Sequence, residues 1–411
     1  MKLKYLFEYV YVRIKWGYTR FTSLHKIIWI LFVAQLYILM DHLFWNSLVR
    51  YPMPVYTNVS NVNSYNWSES HWETISYEYK INPGNISILG RLEGIPAEIY
   101  KQEPFIADPE ITHFYNCIIL NNGLILFSFT EYPQSHAWFH VMNHVSPYLV
   151  NINFTHKAKT AIALPFTEKL GIPFFAINVL SLLYNFNKTL LHNYPVAIST
   201  RFEGFDEIIN LAGFDDLNFI YIEEEGEWID IEDAFITKIS NPYEVNFYSI
   251  NKFVKKVKKN LENDPPKPNE NDKITIIQNS KNHENANQKK IVIFQDGDLR
   301  VKGKKSVIDA ITNKFNGTIE MIPNDTNFTD IILSLQTADI VIGFSGPLTS
   351  MTPFMKEGAT FIEFQRPMTI SRSVLLARAF GFNVEVIVVR DTFIVQNVID
   401  QTLEIIRKLL N

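Results

Sequence analysis

Three short stretches in the C-terminal third carry side chains suited to holding a charged leaving group. The apolar run KKIVIF (289–294) is followed by Arg300, Lys302 and Lys304. Such cations can neutralise a diphosphate, arginine through paired hydrogen bonds and lysine as a point charge. A second run, DIVIGF (339–344), leads into Ser345, Gly346, Pro347, Leu348 and Thr349. A glycine there admits close approach to the backbone, and the amides of Leu348 and Thr349, opening a helix, can receive an anion. A third run, ATFIEF (359–364), ends around Glu363, whose oxygens could hold the two hydroxyls of a ribose. A solvated basic loop, an ordinary strand-to-helix turn and a surface carboxylate are the plain alternatives for the three.

A fourth candidate lies upstream. QSHAWFHVMNHVSPYL (134–149) sets His136, His140 and His144 four residues apart, which on a helix brings them to one side. No H-E-x-x-H pattern or neighbouring carboxylate completes a zinc set, so no metal is assigned. His140, then His144, fit a base or an acceptor contact better. Packed structural histidines are the competing reading.

The elements around these residues set the fold class. From 290 to 411 short apolar runs alternate with helical patterns: KKSVIDAITNKF (304–315), TIEMI (318–322), FTDIILSLQTA (328–338) and a terminal amphipathic helix over 393–411. LTSMTPFM (348–355) reads as the start of a further helix. Runs apolar on both faces and separated by helices predict a parallel, doubly wound, Rossmann-like sheet. Upstream, LILFSFTEY (124–132) and KTAIALPF (159–166) read as strands, and DEIINLAGF (206–214) as a helix closed by Gly213. No G-x-G-x-x-G follows a strand and no P-loop is present, so a diphosphate without a dinucleotide points to a sugar nucleotide.

Composition agrees with this reading. The chain has 411 residues, of which 47% are apolar and 14% aromatic, enough for two domains with buried cores. A net charge of −5 removes the broad attraction on which nonspecific nucleic-acid binding depends. Cys117 is the only cysteine, so an intrachain disulfide and a multi-thiolate zinc site are both excluded.

Residues 27–45, IIWILFVAQLYILMDHLFW, are long enough to span a ~30 Å hydrocarbon core if all are used. Lys2, Lys4, Arg13, Lys15, Arg20 and Lys26 precede them, which by the positive-inside rule leaves the N-terminus cytosolic and the remainder lumenal. A buried helix of a soluble domain is the alternative, to which Gln35, Asp41 and His42 lend weight. Asn58, Asn66, Asn85, Asn153, Asn187, Asn316, Asn324 and Asn327 each begin an N-x-S/T triplet, all after the apolar span. The division expected is a tail (1–26), an anchor (27–45), a stem (46–90), an acceptor-side domain (91–262), a linker (263–289) and a nucleotide-sugar domain (290–411).

Four segments together resemble glycosyltransferase family 61. HVMNHVSPYL (140–149) is similar to the family's H-W-x-x-D-x-x-P-x-L element, with His140, Pro147 and Leu149 on pattern and His144 where aspartate is usual. DEIINLAGF resembles the helix-then-glycine step that follows. IVIFQDGDLRVKG resembles the strand bearing two arginines, with Arg300 on the second and Gln295 in place of the first. ADIVIGFSGPLTSMTPFMKEGATFIEF (338–364) matches the family's last block at Asp339, Gly343, Gly346, Leu348, Thr349, Phe354 and Glu363, while Ser345 or Phe344 stands where the family has histidine.

The resemblance implies a GT-B architecture of two Rossmann-like domains facing a cleft, preceded by one transmembrane helix. It also implies inverting transfer, without a required cofactor, from a nucleotide sugar, UDP-linked by class, to a glycan or glycoprotein hydroxyl. The expected location is the Golgi or endoplasmic reticulum membrane, as a single-pass type II protein. Two other readings stand beside it. Asp296-Gly297-Asp298 is a D-x-D that could bind Mn²⁺ in a GT-A transferase. The replaced histidine and arginine also fit a catalytically inactive lumenal glycan-binding or scaffold protein.

Overall fold

The protein is described by a computed structural model. It describes residues 72–74, 82–89, 105–106, 110–120, 125–127, 130–131, 153–164, 171–199, 201–222, 227–237, 244–264, 275–278, 289–296, 303–315, 318–367, 371–389, 394 and 396–410. All of them belong to one compact unit, Trp67–Asn411. The apolar stretch 27–45 lies outside the described residues, among which no helix is long and apolar enough to cross a membrane.

The strands are β1 (Trp72–Thr74), β2 (Ile86–Leu89), β3 (Phe105–Ile106), β4 (Glu110–Leu120), β5 (Ile125–Phe127), β6 (Thr130–Glu131), β7 (Asn153–Leu164), β8 (Val196–Ile198) and β9 (Phe219–Tyr221). They continue with β10 (Glu227–Thr237), β11 (Glu244–Val245), β12 (Thr275–Gln278), β13 (Lys290–Phe294), β14 (Thr318–Ile322), β15 (Ile340–Gly343), β16 (Thr360–Gln365) and β17 (Asn383–Val388). The helices are α1 (Ile172–Asn178), α2 (Lys188–Asn193), α3 (Phe205–Ala212), α4 (Phe247–Asn263), α5 (Lys304–Lys314), α6 (Phe328–Thr337), α7 (Arg372–Ala379) and α8 (Gln396–Leu410), with 3₁₀ helices at Leu180–Asn185 and Pro347–Phe354.

The fold is mixed α/β with two sheets rich in parallel pairs. In the first, β9-β8-β7-β10 runs parallel, and β4 joins β10 antiparallel. In the second, the order is β12-β14-β13-β15-β16-β17-β2, parallel throughout except for β12 at one end. Because β13 is flanked by β14 on one side and β15 on the other, the order reverses between β13 and β15. That is a topological switch point.

Every residue of β15 and β16 is buried, as befits strands covered on both faces. The alternation within β13 divides the core. Ile291 and Ile293 pack with Val307 and Ile311 of α5 and Ile399, Leu403 and Ile406 of α8. Val292 and Phe294 belong to the opposite face, where α6, α7 and the 3₁₀ helix share one continuous core with α1, α3 and α4. Phe253 of α4 meets Phe328 and Phe354 at ring-centroid distances of 6.4 and 6.3 Å. Arg372 Nε donates to Asn178 Oδ1 at 2.6 Å across the same seam. The halves expected as two domains are therefore joined by a common apolar layer.

Several boundaries differ from those expected. The 46–90 stem contains β2, which pairs parallel with β17 of the second sheet, and β1, which pairs with β4. The 263–289 linker contains β12, antiparallel to β14. β2 and β12 are runs of only four residues in polar surroundings, and pairing with a neighbour holds each in place. The strand expected over 124–132 is split into β5 and β6. The helix expected from 348 is a 3₁₀ helix, Pro347–Phe354, with Pro353 inside it lacking the N–H that an α-helix needs. The helix closed by Gly213 is present as α3, and Gly213 takes φ 69° as its left-handed cap.

Candidate functional site

The C-terminal ends of β13, β15 and β16 meet at the switch point, and each delivers a polar residue there. From β13 comes Asp296, 3% exposed. Its Oδ2 accepts the backbone N–H of Leu348 at 2.6 Å. Burial pushes this carboxyl up from 3.8 to about 6, against the Leu348 hydrogen bond and the charge of Lys304, which favour ionisation. Its other oxygen, Oδ1, is buried without a hydrogen-bond partner.

From β15 the chain passes Gly343 into a tight turn. A Cβ at Gly343 would lie 2.4 Å from Thr349 Cγ2 and 3.3 Å from the Phe361 ring, so close packing of the turn requires glycine. Ser345 sits at φ 54°, in the left-handed region that non-glycine residues seldom enter. Its hydroxyl is held by Glu363 Oε1 at 3.0 Å and the Phe364 carbonyl at 3.3 Å. Thr349 Oγ1 donates to the Gly346 carbonyl at 2.5 Å and lies 2.6 Å from Ser373 Oγ.

Glu363, from β16, has no exposed surface. Oε1 accepts from Ser345, and Oε2 accepts from Ser371, the N-cap of α7. Burial, with a smaller contribution from the negative Asp296, raises its carboxyl from 4.5 to about 7 although both serines favour the charged form. Gln365, two residues on, accepts the Ser371 N–H at 3.1 Å through Oε1, while its buried Nε2 has no partner.

The structure thus gathers Ser345, Gly346, Leu348, Thr349 and Glu363 into one polar cluster, but with roles that differ from those expected. The Leu348 amide is taken by Asp296, and the Thr349 amide donates to the Gly346 carbonyl at 3.1 Å. Pro347 has no N–H, so these amides do not form a vacant anion cradle: a carboxylate of the chain itself fills the position. Glu363 is likewise corrected. Fully enclosed, with both oxygens bonded to serines, it braces the turn instead of presenting an open acceptor pair to a ribose.

Arg300 and Lys302, together with Gly297 and Asp298, lie outside the described residues, between Asp296 and Gly303. His136, His140 and His144 also lie outside them. Lys304, the first residue of α5, has its Nζ 5.6 Å from the centre of the Phe344 ring. Among the described residues no group of three or more histidine, cysteine, aspartate or glutamate side chains could hold a metal.

No local pattern in the sequence marks Asp296 as the partner of the turn after β15, or Ser371, Ser373 and Gln365 as neighbours that brace Glu363 and Thr349. The one available signal was a serine ahead of an apolar helix, the usual N-cap pattern. No family model matches this chain, and no curated protein matches it.

Proposed function

We propose that this protein is an inverting glycosyltransferase of the secretory pathway, moving a sugar from a nucleoside-diphosphate donor, UDP-linked by class, to a hydroxyl of a glycan or glycoprotein. The observation that carries the reading is the switch point between β13 and β15, flanked by Asp296 and Ser345-Gly346. Open parallel sheets bind ligands outside the carboxyl ends of their strands at that place. The connection that leaves it toward α5 contains Arg300 and Lys302 in its sequence. The resemblance to glycosyltransferase family 61 names the same stretch, and a GT-B arrangement is the finer form of the two-sheet α/β fold that the proposal adopts.

In this mechanism the acceptor oxygen forms a bond to the anomeric carbon from the face opposite the donor's diphosphate. The bond from that carbon to the diphosphate oxygen breaks, and the hydroxyl proton passes to a base, for which His140 is first choice and His144 second. Charge accumulating on the departing diphosphate is met by Arg300 and Lys302, since Leu348 and Thr349 have their amides engaged. Asp296 and Glu363 keep the turn at Ser345-Gly346 in shape. No cofactor is required. The N-terminal span 27–45 anchors the chain with its body in the lumen of the Golgi or endoplasmic reticulum.

One observation favours a second reading, a lumenal glycan-binding or scaffold protein without turnover. Asp296 already occupies the helix-start amide on which a phosphate would otherwise rest. Calorimetric titration with a panel of nucleotide sugars, paired with assays of donor hydrolysis with and without Mn²⁺, separates the readings. A transferase binds at least one UDP-sugar and hydrolyses it slowly without metal. A scaffold binds none, and activity abolished by chelation would restore the D-x-D reading.

A further inference from the structure

We propose that Asn85 and Asn187 carry N-linked glycans and that Asn327 does not, an inference that rests on the lumenal placement proposed above. All three begin acceptor triplets, and the fold treats them differently. Asn187 is exposed, as are Lys188 and Thr189 after it. It is the N-cap of α2, and its Oδ1 accepts the Leu190 N–H at 2.8 Å. A glycan is attached through Nδ2, so the carbonyl oxygen keeps its capping bond and the sugar projects into solvent.

Asn85 and Ser87 are also exposed. They lie at the start of β2, the last strand in the order of the second sheet, where the Asn85 carbonyl accepts from Val384 N at 2.9 Å. That bond uses the backbone and leaves the side-chain amide for modification. A sugar beside an end strand would also hinder edge-to-edge association between copies, a recurrent hazard of such strands.

Asn327 is half-buried, and both ends of its amide are committed to one residue. Oδ1 accepts from Asp330 N at 2.7 Å, and Nδ2 donates to the Asp330 carboxylate. The triplet's hydroxyl is engaged as well: Thr329 is 7% exposed, and its Oγ1 donates to Glu207 Oε1. A sugar on Nδ2 would displace the bond to Asp330 and crowd a half-buried turn packed on Glu207, so the fold has no place for a glycan at Asn327.

The step forms a bond from Nδ2 to the anomeric carbon of an oligosaccharide carried on a lipid diphosphate. The bond from that carbon to the diphosphate oxygen breaks, and the amide proton leaves with the lipid diphosphate. The test is expression of the full chain in a eukaryotic host, followed by enzymatic deglycosylation in heavy-oxygen water, which converts each formerly modified asparagine to labelled aspartate.

The expected result is label at Asn85 and Asn187 and unlabelled Asn327, with Asn85→Gln and Asn187→Gln each removing one glycan's shift on a gel. Label at Asn327, or label elsewhere with Asn85 or Asn187 bare, overturns this inference and leaves the lumenal placement standing. Absence of label from every triplet overturns the placement and the inference with it.

Discussion

Asp296 and Leu348, 52 positions apart in the chain, are joined at the switch point by a single hydrogen bond of 2.6 Å from backbone N–H to carboxylate. The bond ties the end of β13 to the first turn after β15, the two strands between which the sheet order reverses. It replaces an external anion with an internal one. It also sets up a pair of buried acids, since Glu363 stands close enough for the charge of Asp296 to raise its pKa.

That pair makes stability depend on pH in a stated direction. Both carboxyls bind a proton more tightly folded than unfolded. Their contribution is therefore complete below the ordinary values of 3.8 and 4.5 and is lost as pH rises through about 6 and about 7. Thermal unfolding followed across this range should show a falling Tm in the wild type. Asp296→Asn combined with Glu363→Gln should flatten the fall; an unchanged slope would show that neither acid is responsible.

Removing Glu363 altogether should cost more than neutralising it. Glu363→Ala takes the carboxylate acceptor from the half-buried hydroxyls of Ser345 and Ser371, leaving Ser345 only its longer contact to the Phe364 carbonyl. Each lost hydrogen bond costs about 1 kcal/mol, while Glu363→Gln retains an acceptor and should cost less. Urea titration of the two variants reads the difference, and equal losses would refute the assigned bracing role.

At Ser345 the backbone and the hydroxyl can be tested apart. Ser345→Ala loses the bond to Glu363 and should cost about 1 kcal/mol. Ser345→Val loses the same bond and also places a branched side chain at φ 54°, which should add roughly 1–2 kcal/mol. Ser345→Gly, free of strain, should be the mildest of the three in chemical denaturation.

Gly84 provides a test of the strand that lay hidden in the expected stem. A Cβ there would stand 1.7 Å from the Phe382 carbonyl oxygen, so the backbone must move. Gly84→Ala should destabilise by about 1–3 kcal/mol, the usual range for overpacking. Hydrogen exchange at the Val384 amide, which donates to Asn85, should speed up before exchange in β15 does.

For the proposed donor site, Arg300→Ala should weaken UDP binding at least about tenfold, equivalent to 1.4 kcal/mol, and abolish transfer. Lys302→Ala should weaken it less, as a point charge without paired geometry. Undiminished binding and turnover in Arg300→Ala, with the fold intact by circular dichroism, would retire the assignment.

The second sheet was legible because strands buried on both faces cannot avoid continuous apolar runs. KKIVIF, DIVIGF and ATFIEF stand out for that reason, and β13, β15 and β16 fall on them. The clustering of Ser345, Gly346, Leu348, Thr349 and Glu363 at one end followed from parallel order alone. β2 and β12 were not legible, because ISIL and TIIQ are only four residues long and stand among polar, proline- and asparagine-rich neighbours. The engagement of Leu348 by Asp296 was equally hidden, since a hydrogen bond between distant positions leaves no local pattern.

Periodicity and side-chain type, which act over a few residues, were enough to specify an α/β chain with a parallel C-terminal sheet and its loops rich in polar groups. Folding alone decided which polar groups satisfy one another. Desolvation makes an unpaired buried group costly, so Asp296 and Glu363 took partners within the protein that their places in the chain do not reveal. The same constraint gives the two sheets a shared apolar layer, to which α1, α4 and α6 contribute.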